Sequence, residues 1–186
     1  MYLRNNKGTY GIANTRKADA VFYKFNSDNV NPGNFFGKQY RSYVDLIFNT
    51  RLDINKQYQA ISWVSEAVEI ETERVVQFDT IDAVMVYNHH QCSGEVPVSK
   101  TGLTTARNAE GIWNLNEFRD MMLSPDNKVL DEDGNLIESS LSVKKQWYNK
   151  GIFIGNFLVT RLIWNNQSKR LIHIHNVQVK SITSNR

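Results

Sequence analysis

The four histidines and the single cysteine are the side chains of this sequence best suited to bind a transition metal. They occur in two stretches, "YNHHQC" (87–92) with His89, His90 and Cys92, and "HIH" (173–175) with His173 and His175. On a β-strand the last two imidazoles would share one face about 7 Å apart, which suits a common metal. A tetrahedral zinc site needs three or four ligands, and structural zinc sites usually pair them at short, fixed spacings. We therefore predict no metal site and interpret both stretches as polar strand faces or strand ends.

The acidic segment "DEDGNLIE" (131–138) invites a calcium interpretation. A helix-loop-helix calcium loop needs oxygen ligands at positions 1, 3 and 5, glycine at position 6 and a bidentate glutamate at position 12. Gly134 instead falls at position 4, and the twelfth residue is Ser142. The segment is better explained as a β-hairpin turn between two short apolar arms.

A hydrolase would require paired carboxylates or a nucleophile motif. Glu117 and Asp120 flank Arg119 in "NEFRD", which an ion pair at the end of a strand explains as well as catalysis does. The sequence contains no GxSxG, no HExxH and no phosphate-binding glycine loop. We predict that the protein is not an enzyme and that it has no catalytic or cofactor-binding residues.

Aromatic residues in or beside loops suggest binding instead of catalysis. They are Tyr2, Tyr10, Phe35, Phe36, Tyr40, Trp147, Tyr148 and Phe153. Such residues could form a platform for sugars or the centre of a protein–protein interface, where aromatic residues and Arg are enriched. The third possibility is that most of them close the ends of the fold.

The elements that would position these residues read as β-strands. "YRSYVDLIF" (40–48) alternates with a period of two and predicts a half-buried strand, as "AISWVSEAV" (60–68) does more loosely. "TIDAVMVYN" (80–88) is rich in β-branched residues and could be covered on both faces. "FIGNFLVTRLIWNN" and "KRLIHIHNVQVKSI" predict two long strands joined by the polar turn "NNQSK".

One segment leaves strand and helix open. "IWNLNEF" (112–118) alternates almost strictly, but Leu115, Phe118, Met121 and Met122 also have helical spacing. We favour the strand. With Asn-rich turns between the apolar runs, the sequence predicts an all-β, antiparallel, jelly-roll-like β-sandwich with at most one or two short helices.

Composition limits the remaining classes. The 186 residues, 41% hydrophobic and 11% aromatic, allow one ordinary domain with a real core. The net charge of +3 arises from 22 basic and 19 acidic residues in mixed order, which does not indicate a nucleic-acid surface. A lone cysteine excludes an intrachain disulfide and fits synthesis in a reducing cytoplasm. The sequence contains no apolar run long enough for a membrane helix and no signal-peptide pattern at the start.

An ordered set of segments resembles a known family. The set comprises "NNKGTYG" (5–11), "GNFFGKQYRSYVDLIFN" (33–49), "ISWVSEA" (61–67), "FDTI" (78–81), "IWNLNEFRD" (112–120), "FIGNFLVTRLIWNN" (153–166) and "LIHIHNVQV" (171–179). In this order they resemble the C-terminal region of the tail muzzle proteins of crAss-like phages, short-tailed phages of gut Bacteroidota. The likeness extends over nearly the whole chain, in short and degenerate pieces.

The resemblance implies a structural protein of the phage tail muzzle or tail tip, made in the cytoplasm of the bacterial host and assembled into the virion. Its implied partners are copies of itself, other tail proteins and a host-surface glycan, with no specific nucleic acid. The implied domain is a single one over 1–186, the C-terminal module or a fragment of a longer chain, with 121–146 as an insertion or hairpin. A carbohydrate-binding β-sandwich module that recognises a receptor is the alternative.

Overall fold

A computed structural model of the protein describes residues 2–5, 8–12, 22–24, 31–76, 78–98, 106–109, 111–116, 118–121 and 151–183. Within these ranges the regular structure consists of β-strands alone. They are β1 (Tyr2–Asn5), β2 (Gly8–Ile12), β3 (Phe22–Lys24), β4 (Asn34–Phe35), β5 (Lys38–Gln39), β6 (Ser42–Phe48), β7 (Lys56–Glu69), β8 (Val75–Val76), β9 (Ala83–Tyr87), β10 (Cys92–Pro97), β11 (Ala106–Ala109), β12 (Ile112–Leu115), β13 (Ile154–Gly155), β14 (Leu158–Trp164) and β15 (Arg170–Thr183).

Four strands form one antiparallel sheet in the order β10-β9-β14-β6. β14 lies in its middle and pairs with β6 on one side and β9 on the other, although it follows both of them in the chain. Its residues are buried accordingly, while β6 alternates between half-buried and exposed positions. This sheet is called the four-stranded sheet below.

The second large sheet is organised around β7, a strand of 14 residues. Three short strands pair along one edge of β7: β13 at Lys56 and Gln57, β12 over 61–64, and β8 at Ala67 and Val68. β15 pairs antiparallel along the other edge over the full length of β7, with two register shifts. The outermost strand beyond β12 is β11. This sheet is called the β7 sheet.

The hydrophobic core lies between these two sheets. Trp63, Trp113 and Leu115 from the β7 sheet and Val84 and Leu162 from the four-stranded sheet are at most 2% exposed and belong to one apolar cluster. Phe118 and Phe153 extend the cluster from the neighbouring loops, with ring centroids 5.7 Å apart. The predicted antiparallel β-sandwich is therefore confirmed.

Most strand predictions are confirmed where residues are described, but the single long strand predicted over "FIGNFLVTRLIWNN" is wrong: it is divided into β13, which pairs with β7, and β14, which lies in the four-stranded sheet. β6 alternates as expected, β9 is buried on both faces, and Ile112–Leu115 is a strand rather than a helix. The predicted hairpin at 128–138 lies outside the described residues. The turn "NNQSK" connects β14 and β15 as predicted, but it carries the chain from one sheet to the other, because β14 pairs in the four-stranded sheet and β15 with β7.

Two smaller units precede the sandwich strands. β1, β2 and β3 form a three-stranded antiparallel sheet, and β4 and β5 form a hairpin. Phe36 and Gly37 at the hairpin turn both have positive φ, 52° and 75°, as a tight two-residue turn requires. A search of the described residues for a helix long and apolar enough to cross a membrane finds none.

Candidate interaction surface

The first histidine pair lies in the turn between β9 and β10. Asn88 organises this turn, because its side-chain oxygen accepts hydrogen bonds from the backbone N–H groups of His90 and Gln91, both at 2.9 Å. The His89 ring packs edge-on against Phe157 with centroids 4.8 Å apart. Cys92 begins β10 and is buried, which raises the pKa of its thiol.

The second histidine pair lies on the β7 sheet. His173 and His175 are both exposed on β15, and His173 is in register with Glu66 of β7. His175 Nε2 lies 3.4 Å from a Glu66 carboxylate oxygen, so a protonated His175 would form an ion pair there. The fold thus assigns the two pairs to different sheets. In the described part of the chain, no three His, Cys, Asp or Glu side chains come together as a metal-binding group.

The described residues of the charged segment "NEFRD" make hydrogen bonds within the fold. Asp120 accepts a hydrogen bond from the Cys92 N–H at 3.1 Å, and its own N–H donates to the Gly151 carbonyl at 3.0 Å. Arg119 donates to the Phe118 carbonyl. Glu117 lies outside the described residues. The described contacts join the end of this segment to β10 and to the chain before β13.

The predicted surface aromatics divide into three groups. Phe35, Phe36 and Tyr40 are 36–48% exposed at the β4–β5 hairpin, as expected. Phe153 is fully buried, so a role in surface binding is wrong for this residue: it packs on Phe118, and its carbonyl accepts from the Tyr58 N–H at 2.9 Å. The side chains of Tyr2, Tyr10, Trp147 and Tyr148 are outside the described part.

A more ordered aromatic surface lies on the outer face of the four-stranded sheet. Arg161 of β14 and Asp45 of β6 are register partners, and the guanidinium donates two hydrogen bonds to the carboxylate, at 2.7 and 2.8 Å. The Arg161 guanidinium also lies over the Tyr43 ring, 4.5 Å from its centroid, and 5.6 Å from that of Tyr87. Tyr87 donates its hydroxyl to Asp45 at 3.2 Å. Tyr43, Asp45, Ile47, Tyr87 and Arg161 are named the outer-face platform.

The electrostatics of the platform follow from this geometry. The hydrogen bond from Arg161 lowers the pKa of Asp45, and the hydrogen bond to Asp45 raises the pKa of Arg161. Burial, followed by the negative charge of Asp45, raises the pKa of Tyr87. At neutral pH the platform therefore holds a fixed ion pair between neutral aromatic rings.

Two apolar side chains project from this face. Tyr43 is 60% exposed and Ile47 is 65% exposed, on either side of Asp45 along β6. A second ion pair crosses the same sheet, since Arg41, just before β6, donates to Glu95 of β10 at 2.7 and 3.0 Å. β14 and β9 lie between these two strands in the sheet order. The face combines rigid charges with exposed apolar area.

Sequence reasoning missed this platform. Asp45 and Arg161 are separated by 116 residues, and only the pairing of β6 with β14 brings them together. A signal was present, because each is the only charged residue of its strand, "SYVDLIF" and "LVTRLIW". A lone charge on each of two alternating strands is a candidate cross-strand pair.

The fold and this surface define a β-sandwich domain with a preorganised arginine and aromatic face. Residues 30–120, which include β4–β12, match the family model of the Crassvirus muzzle protein C-terminal domain. This segment belongs to that family, and the resemblance to the muzzle proteins of crAss-like phages is confirmed. The protein is accordingly a structural component of a phage tail. No curated protein matches the chain.

Proposed function

We propose that this domain works by self-assembly and by contact with neighbouring proteins of the phage tail. The outer-face platform is the observation that carries the proposal. Tyr and Arg are, with Trp, the residue types most enriched among energetically dominant interface positions. Here both are already fixed, because Arg161 is held by Asp45 and lies over Tyr43.

Preorganised side chains favour binding, because ordering a flexible side chain on association costs binding free energy. The hydrogen bonds of Arg161 and Tyr87 to Asp45 order these side chains before any partner arrives. Tyr43 and Ile47 then offer apolar area that a partner can remove from water, which stabilises a complex by about 25 cal/mol per Å². A preorganised face of this kind suits a repeated contact between tail subunits.

The test is the mass of assemblies in solution. The full chain is studied alone and with purified tail proteins by light scattering, and compared with variants Tyr43→Ser and Ile47→Ser. Val75→Ser is the matched control, because Val75 is 55% exposed on β8 of the β7 sheet. We expect the two platform variants to lower the assembled fraction and the control to leave it unchanged. Equal assembly by all three variants would contradict the proposal.

Contact with a host-surface glycan is a second candidate function. A polar pocket of about 120 Å³ lies at the β14–β15 corner. Its wall includes Asp79, Asp82, Trp164, Gln167 and Ser168. Carboxylates, amides and an indole are the groups that bind sugar hydroxyls and sugar faces.

The glycan candidate is tested with host capsule polysaccharide on a glycan array and by calorimetry. Gln167→Ala and Ser168→Ala should weaken binding, because both exposed side chains line the pocket. Gln178→Ala, an exposed position on β15, is the control. An array without any bound glycan at high protein concentration would exclude this function.

A further inference from the structure

An apolar groove runs along the open side of the sandwich, between β6 of the four-stranded sheet and β15 of the β7 sheet. It has a volume of about 510 Å³. The apolar residues that line it are Val44, Leu46, Ile47, Phe48, Ile174 and Val177. Val44, Leu46 and Phe48 are only half-buried, although they point toward the core between the sheets, and the exposed Ile47 lies at the outer rim of the groove. The groove therefore leaves part of the core edge uncovered.

The backbone of β6 forms one lip of this groove. Among the described strands, β6 is the last in its sheet and pairs only with β14. Natural proteins protect such edges with charged side chains, above all lysine, or with proline, bulges or very short strands. β6, "SYVDLIF", has seven residues with unbroken register, contains neither lysine nor proline, and its one charged residue, Asp45, is paired with Arg161 of β14. As far as the described residues show, its second edge is therefore open to another strand.

β15, the opposite lip, differs in these respects. Its pairing with β7 shifts register between Ile174 and Asn176 and again between Lys180 and Ser181. It also contains Lys180. These are the features that hinder the addition of a strand. Of the two edges that border the groove, β6 is the one suited to accept a partner.

A more polar pocket of about 260 Å³ adjoins the groove at Phe48. Phe48 lines both, and the pocket also includes Arg51, Lys56, Ser181 and Thr183. Lys56 donates its two hydrogen bonds to the carbonyl oxygens of Arg51 and Asn156, both at 2.9 Å. Its positive charge thus has no carboxylate partner within the described part of the chain. This end of the groove is complementary to an acidic group.

We propose that the groove accepts an extended segment of a neighbouring tail protein, which adds to the four-stranded sheet as a strand beside β6. The segment has apolar residues at every second position and an acidic residue at the end near Lys56. Seven residues, matching β6, would extend about 23 Å. One set of side chains fills the groove, and the other set lies beside Tyr43 and Ile47. The proposal rests on the proposed function, and it specifies strand addition as the form of the contact between tail proteins.

The test uses the full chain and synthetic peptides. The first is acetyl-Glu-Val-Thr-Val-Thr-Val-Thr-amide, and the second has the reversed order, because strand addition can be parallel or antiparallel. A peptide of the same composition with the three valines adjacent is the control. Binding is measured by isothermal titration calorimetry, and the contacted strand is identified by amide hydrogen exchange. We expect one alternating peptide to bind and to slow exchange at Ser42–Phe48, and the control peptide to bind more weakly.

The charge at the end of the groove is tested by substituting Lys56 in the protein and the glutamate in the peptide, separately and together. Lys56→Gln should weaken binding of the glutamate peptide about two- to fivefold, as expected for an exposed ion pair. It should have no effect on a peptide with glutamine in place of glutamate. Lys38→Gln, at an exposed lysine of β5, should have no effect on either.

Three results would overturn the proposal. They are the absence of slowed exchange at β6 with either alternating peptide at millimolar concentration, slowed exchange at β15 alone, and a dimer of the chain that protects β6 without peptide. The proposed function is tested separately by co-assembly with tail proteins. Co-assembly without any peptide effect on β6 would reject the groove proposal alone. Peptide addition at β6 without co-assembly would show that the edge accepts a strand, but it would reject a tail protein as the source of that strand, together with the proposed function.

Discussion

Trp63 and Trp113 stack at the centre of the β7 sheet as register partners on β7 and β12, with centroids 6.5 Å apart and planes inclined by 10°. Both rings are at most 2% exposed. The Trp63 Nε1–H donates to the Thr80 hydroxyl at 2.8 Å, and Ser65 shares a 2.6 Å hydrogen bond with the same oxygen. The indole thus joins β7 to the segment that leads into β9.

Replacing Thr80 by valine should destabilise the fold. Thr80→Val keeps the shape but leaves the Trp63 N–H without an acceptor in a buried site, which costs about 1–3 kcal/mol. Urea unfolding followed by tryptophan fluorescence measures the loss. Thr72→Val is the control, because Thr72 is exposed and its hydroxyl bonds only to exposed groups, the Glu69 carboxylate and the Arg74 N–H. An equal free energy of unfolding for both variants would contradict the role of this hydrogen bond.

Alanine substitutions at Gly33 and Gly111 should distinguish the cost of backbone strain from the cost of a steric clash. Both have positive φ, 76° and 80°. A Cβ at Gly33 would lie 2.4 Å from Asn166 Nδ2 and 2.7 Å from the Tyr40 carbonyl, whereas one at Gly111 would meet nothing within 4 Å. Gly111→Ala should therefore cost only the conformational strain, about 1–2 kcal/mol.

Gly33→Ala should cost more, because Asn166 is fixed there by its hydrogen bonds to Tyr40 O and Ser42 Oγ. Thermal unfolding of the two variants under identical conditions tests the difference. A smaller loss of stability for Gly33→Ala than for Gly111→Ala would show that the loop before β4 can rearrange to accept the methyl group.

Asp45 should make stability depend on pH in the acid range. Its pKa is lowered from 3.8 in the folded protein, chiefly by the hydrogen bond from Arg161. A lowered folded pKa contributes stability that is complete above the unfolded value and is lost as pH falls through the folded value. Asp45→Asn should lower stability by about 1 kcal/mol at neutral pH. The difference from the unchanged protein should shrink below about pH 4.

Urea unfolding at neutral and acid pH measures this convergence. Asp53→Asn is the control, because the Arg51–Asp53 pair is about two-thirds exposed on both sides, 66% and 67%. A constant difference between the Asp45 variant and the unchanged protein across the acid range would exclude the ion pair as its cause.

The segment that matches the family model should not fold alone. Removing everything after Asp120 deletes β14, which separates β6 from β9, and β15, which covers one edge of β7. We expect circular dichroism and NMR of residues 30–120 to show no cooperative unfolding. In the full chain, Leu162→Ala in the core should cost about 2–5 kcal/mol. A cooperatively folded 30–120 fragment would show that β14 and β15 are dispensable.

Local patterns predicted much of the fold, since alternation is a property of neighbouring residues. β6, β9 and β12 were recognisable because each side chain reports which face of a strand it occupies. The pairing of strands could not be predicted from these local patterns. Nothing local in "NNQSK" indicates that the chain changes sheets there, and nothing beside Phe153 indicates burial, because the covering Phe118 lies far away in the sequence. The outer-face platform and the groove depend on the same long-range pairings.

The position of β14 and β15 in the chain also bears on the order in which the protein is made. β7 emerges from the ribosome about 100 residues before β15, the strand that pairs along its whole length. Likewise, β6 and β9 cannot join one sheet until β14 has been made, because β14 lies between them. Contacts of such high sequence separation slow folding, because a long loop must close before they form. We therefore expect the apolar faces of the early strands to stay exposed during synthesis until β14 and β15 have been made, and such exposed apolar surface is what makes folding intermediates prone to aggregation.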